Sequence, residues 1–222
     1  MEIIAKTLLA GHIGAGFTSL ILFWVPVFTR KGGINHRRVG NYYVWAMWWV
    51  VISAALLSFK NVLIGDMLMA AFLGFLALIT GKPLWLGISA LNNKSHQSHG
   101  YRCAQLIMSG LVVVSGLGLI GYGVALGGTG VAVFMIIFGV LGLASIFDFV
   151  ANLDKHAVPK HWLEEHIASM CITGIAAHTA FLAFGAQSMF SQLYGSYWSV
   201  VPWVAPTVVG IIGIRVAITR YK

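Results

Sequence analysis

From Ile167 to Phe184 the sequence is apolar over a bilayer's width, yet it carries His178 inside and opens on Glu164, Glu165 and His166. A helix of that length rises about 27 Å, close to the hydrocarbon thickness of about 30 Å. Ionisable side chains at membrane depth are costly, and by default they mark a functional site or pathway. His166 and His178 are roughly 18 Å apart along such a helix, so one span offers imidazoles to two depths.

Counting this stretch as the sixth span, 163–185, six further runs have the same character: 7–28, 39–58, 62–80, 102–124, 130–150 and 199–218. With 59% hydrophobic and 9% charged residues and a mean hydropathy of +0.85, the chain is no ordinary soluble domain. The fold class is all-α: a polytopic membrane bundle of seven transmembrane helices, one integral membrane domain over 1–222. The net charge of +8 does not point to nucleic acid, because the basic residues cluster in short loops where topology and anionic lipid account for them. Expected partners are the lipid bilayer and, for an assembly subunit, another membrane protein. The expected location is the bacterial cytoplasmic membrane.

Twelve Lys and Arg residues fall on one side of these spans: Arg30, Lys31, Arg37 and Arg38, then Lys82, Lys94 and Arg102, then Lys155 and Lys160, then Arg215, Arg220 and Lys222. Lys6 and Lys60 fall on the other. That bias puts the N-terminus outside and the C-terminus in the cytoplasm. Met1–Lys6 lacks a basic lead-in, so no cleaved signal peptide is expected. Pro83 disfavours helix at Lys82, so Pro83–Leu91 reads as a short interfacial helix. Gly110, Gly116, Gly118, Gly121 and Gly123 make the fourth span thin and suited to close packing. Gln187–Trp198 reads as an outer aromatic belt, and Tyr42, Trp45 and Trp49 give span two an aromatic face.

With this topology His12 and His178 both fall in the outer half and could face each other if spans one and six are neighbours, which the sequence alone does not show. The other end is richer. His36 opens span two, Asp148 ends span five, and His161, Glu164, Glu165 and His166 open span six, with His96 and His99 in the loop before span four. Imidazole mixed with carboxylate suits zinc or iron, and His36, Asp148, Glu165 and His166 are the candidate metal ligands. His12, His36, His166 and His178 are the candidate cofactor ligands. The plainer alternatives are histidines bonded to a neighbouring carbonyl or hydroxyl, glutamates complementing a helix dipole, solvated loop histidines, and Asp148 paired with Lys155 or Arg102. Arg37 and Arg38 are either topological anchors or contacts for a lipid headgroup or phosphate. Cys103 and Cys171 form no CxxC motif.

Three stretches carry a family resemblance: His12-Ile-Gly-Ala-Gly16; Lys31-Gly-Gly-Ile-Asn-His36-Arg37-Arg38-Val-Gly40 with the aromatic helix start that follows; and His166-Ile-Ala-Ser-Met170 with Ile175-Ala-Ala-His178-Thr-Ala-Phe-Leu182. In these the chain resembles a family of uncharacterised bacterial multi-pass membrane proteins. The resemblance implies that His12, His36, Arg37 and His166 occupy motif positions, while His178 departs from the pattern. It implies no activity.

Three functional classes follow. Histidines at two depths suit a haem or metal protein of membrane electron transfer. The twelve-residue spacing of His166 and His178 turns one from the other by roughly 120°, which argues against two haems stacked on one helix in the usual way. His36, His166 and a carboxylate around zinc would suit an intramembrane hydrolase. A proton-coupled transporter or assembly subunit needs no cofactor. No P-loop, GxSxG or HExxH motif is present.

Overall fold

A computed structural model describes residues 2–94, 98–127, 131–153, 161–186 and 201–221. The regular elements are α1 (Glu2–Phe28), α2 (Ile34–Leu63), α3 (Met67–Ser89), α4 (His99–Ala125), α5 (Val131–Leu143), α6 (Ser145–Leu153), α7 (Trp162–Ala180) and α8 (Val201–Tyr221). A short 3₁₀ turn, Ala90–Asn92, follows α3, and a wider π turn, Phe181–Ala186, extends α7. With α5 and α6 read as one span broken at Ala144, seven helices among the described residues are long and apolar enough to cross a membrane. The protein is an all-α integral membrane bundle.

Adjacent spans pair along the sequence, α1 on α2, α2 on α3, and α4 on both α3 and α5. The chain then returns, so that α7 packs on α3, α1 and α8. α3 is the most enclosed helix, and this corrects the reading of Pro83–Leu91 as interfacial. Pro83 lies inside α3, and Lys82, Pro83, Leu84, Leu86 and Gly87 are all buried. Neighbouring helices let a membrane helix tolerate the hydrogen bond that proline omits. Leu84 packs in a core cluster with Tyr43 and Met47, while Phe72, Phe75, Val112, Leu119 and Met135 form a second cluster.

The glycines of α4 divide by face. A side chain at Gly116 would meet the Gly139 carbonyl at 2.9 Å, and one at Gly123 the Ala132 carbonyl at 2.8 Å, so α4 and α5 touch backbone to backbone. Gly118 and Gly121 have nothing within 4 Å. The aromatic face of α2 points outward, with Tyr42, Trp45 and Trp49 all exposed. The segment Gln187–Trp198 lies outside the described residues.

Candidate functional site

Tyr43 of α2 and Thr173 of α7 are buried and joined by a 2.7 Å hydrogen bond. Thr173 already donates to the Met170 carbonyl at 2.7 Å, so Tyr43 is the donor. These helices are the second and sixth spans and therefore cross in the same direction. His36 and His166 each precede that bond by seven residues, just under two turns, about 10 Å along the bundle and on the same helix faces. Two histidines from distant parts of the chain thus come to one level, near enough to interact electrostatically.

Each imidazole is fixed in the same way. His36 Nδ1 lies 3.1 Å from the Pro26 carbonyl and His166 Nδ1 lies 2.7 Å from the Gly87 carbonyl. Both acceptors lie in the last turn of a helix, where intrahelical partners run out. A carbonyl only accepts, so Nδ1 carries the hydrogen and Nε2 of the neutral ring carries the lone pair. Among the described residues neither Nε2 makes a hydrogen bond. Such a ring, anchored through Nδ1 and open at Nε2, is in the state that metal-ligating histidines adopt.

The surroundings are cationic. Lys31 acts electrostatically on His36, and Lys94 on His166. Lys31 donates to the Pro26 and Val27 carbonyls, at 2.6 Å each, at the end of α1. Burial chiefly pushes its ammonium below the ordinary 10.5; Cys171 opposes that shift and Arg220 adds to it. Arg37 and Arg38 are exposed in the first turns of α2.

The other two transmembrane histidines are placed differently. Ser53 donates to the Trp49 carbonyl at 2.6 Å, so His12 Nδ1, 2.8 Å from Ser53 Oγ, is the donor there. This site lies about 20 Å along α1 from Pro26. His178 has both nitrogens engaged, Nδ1 with the Gly174 carbonyl at 2.7 Å and Nε2 with the Trp24 indole at 3.1 Å. α1 and α7 are neighbours, but His12 and His178 do not face each other. The Trp24 contact places His178 near the other end of α1, about 18 Å from His12 along that helix.

Asp148 and Glu165 belong to another set of contacts. Lys82 donates to Asp148 at 2.8 Å and to Ser145 at 3.0 Å. Glu165 accepts from the Tyr101 hydroxyl at 2.9 Å and from Gln105 at 3.0 Å. Asp148 therefore pairs with Lys82, a partner that the loop assignment of Lys82 hid. Among the described residues, no group of three or more His, Cys, Asp or Glu side chains is placed to hold a metal ion.

His99 is exposed and lies 3.6 Å from Cys103, and His161 precedes α7 beside Trp162. His96 and His156 lie outside the described residues. Lys82, Tyr101 and Gln105 were not singled out by sequence. The available signal was the lysine at position 82 within an apolar run that continues to Leu91. No protein-family model, curated protein or solved structure matches the chain.

Proposed function

We propose that this integral membrane protein holds a haem through Nε2 of His36 and His166 and serves in membrane redox chemistry. The observation that carries the reading is the pair itself: two imidazoles at one level, each anchored through Nδ1 to a helix-end carbonyl. Haem supplies four nitrogen ligands of its own and asks the protein for only two. A bare zinc ion is usually four-coordinate and would need further protein ligands, which favours the porphyrin. Charge favours it too, because Lys31 and Lys94 suit propionates and repel a free dication. The two histidines also fall in the motifs that carry the family resemblance.

The test is the visible spectrum and metal content of protein purified in mild detergent. A Soret band is expected, lost in His36→Ala and His166→Ala and kept in His12→Ala and His178→Ala. Stoichiometric metal without a Soret band would replace the haem by a bare ion. Neither band nor metal, even after titration with haem, would sink the reading and leave the cofactor-free transporter or assembly subunit.

A further inference from the structure

Helices α7 and α8 are consecutive spans that run side by side in opposite directions, so the first turn of α7 lies beside the last turn of α8. They are tight at Gly210, where an added side chain would clash with Ile175. Eight residues along each helix, about 12 Å nearer the end of the bundle, Ile167 and Ile218 share the wall of a cavity of about 310 Å³. His161, Leu163, Glu164 and Tyr221 complete its lining. That volume is enough for a small ligand, and the lining is divided. Leu163, Ile167 and Ile218 are apolar, while Glu164, Tyr221 and His161 offer a carboxylate, a phenol and an imidazole.

Charges of both signs meet at the mouth. Lys31 Nζ and Arg220 Cζ each lie 5.9 Å from the centre of the Tyr221 ring, within the range of cation–π attraction. Lys31 is bonded to the Pro26 and Val27 carbonyls, so it lends mainly its charge. Arg220 is exposed, and among the described residues its guanidinium makes no hydrogen bond. Glu164 brings the opposite charge from α7, and it makes contacts besides those named. Glu164 in the first turn of α7 and Arg220 in the last turn of α8 each complement a helix dipole. Dipoles account for the two charges but not for the cavity between the turns that carry them.

We propose that the cleft between α7 and α8 binds the headgroup of a phosphatidylethanolamine-type lipid. Arg220 holds the phosphate through its fork of N–H donors, in the positive field of Lys31. The primary ammonium donates to the Glu164 carboxylate and the Tyr221 hydroxyl. Leu163, Ile167 and Ile218 receive the glycerol and the first chain carbons, and the rest of the chains lie in the bilayer. A wholly anionic headgroup would leave Glu164 facing a like charge, and a trimethylammonium headgroup has no N–H to donate. The cleft also lies at the ends of two spans, the depth at which a lipid itself turns from polar to apolar. Because α8 packs chiefly on α7, a lipid held by both braces the last span.

Native mass spectrometry of the delipidated protein, titrated with dioleoyl phosphatidylethanolamine, phosphatidylcholine or phosphatidylglycerol, tests this. The first phosphatidylethanolamine is expected to bind about tenfold more tightly than either other lipid, the worth of one hydrogen bond to a charged group. Glu164→Gln is expected to abolish that preference, and Arg220→Gln to weaken the first bound lipid of all three kinds. Ile218→Trp fills the cleft with both charges in place and is expected to lose the same preference, which keeps the test open should Glu164→Gln fail to fold. Equal affinities in the wild type would overturn the proposal and leave ordinary lipid contact. Preference for phosphatidylglycerol would make the mouth an anion site alone, and a phosphatidylethanolamine preference that survives Glu164→Gln and Ile218→Trp would place the lipid elsewhere. The measurement reads lipid mass, so the haem reading stands or falls separately, on the visible spectrum.

Discussion

Trp24 donates its indole N–H to Nε2 of His178 at 3.1 Å, across 154 residues of chain. With Nδ1 on the Gly174 carbonyl, that leaves His178 no lone pair for a ligand. His36 and His166 are anchored through the same atom but carry nothing on Nε2 among the described residues. His178 thus separates from His36 and His166, which look like it in sequence, by the state of one nitrogen. His178→Gln is expected to keep any cofactor spectrum and to cost roughly 1–2 kcal/mol of stability, the range for interhelical polar contacts in membranes. Thermal denaturation and the Soret band, measured on the same sample, check both halves. Loss of the band with His178→Gln would make His178 a ligand in spite of its contacts.

Gly116 and Gly139 mark where α4 and α5 meet. A side chain at Gly139 would lie 2.7 Å from the Gly116 carbonyl and 3.2 Å from the Ile120 nitrogen. Backbone cannot swing aside as a flexible side chain can. Gly139→Ala is expected to destabilise the bundle by about 1–3 kcal/mol, the usual cost of overpacking. Gly118→Ala, with open space around it, is expected to be neutral or slightly stabilising. Equal effects at the two positions would show that the helices separate more easily than their contact implies.

Apolar run length gave all seven spans, because the bilayer imposes a single length scale on every one of them. It failed at Pro83, where a local rule about proline was outweighed by burial in the most enclosed helix. Reading Lys82 as a loop cation followed from the same error, and it hid the ion pair with Asp148. The candidate histidines were visible as costly residues in apolar runs. Their grouping was not, because it depends on which helices pack together and on which nitrogen meets which carbonyl. Neither is encoded in spacing along one helix. Tyr43, which faces Thr173, could not be told from the lipid-facing Tyr42 by type or depth, only by the side of α2 it occupies.

Orientation is open to direct measurement. Removing Lys82 from the basic side of the charge count leaves eleven residues against Lys6 and Lys60, so the bias survives the correction. The C-terminus is expected in the cytoplasm, and the His36–His166 pair toward that face. Alkaline phosphatase fused after Lys222 should be inactive and a cytoplasmic fluorescent reporter bright. The reverse pattern would turn the bundle over and move the histidine pair to the outer side.

Lys31 gives a pH signature of a definite sign. Its ammonium is held chiefly by burial below the ordinary 10.5, with Arg220 adding to the shift. The unfolded chain therefore binds more protons than the folded one between the lowered value and 10.5, and stability rises with pH through that window. Below the lowered value the penalty for burying the charge is fully present; above 10.5 it is gone. This is opposite to a lysine that gains a carboxylate partner. Lys31→Met is expected to flatten the rise while losing the two bonds to the Pro26 and Val27 carbonyls. Thermal unfolding of both proteins in one detergent across the alkaline range checks it. A wild-type midpoint that falls in this window, with Lys31→Met flat, would mean that the carbonyls hold the ammonium more strongly than burial disfavours it.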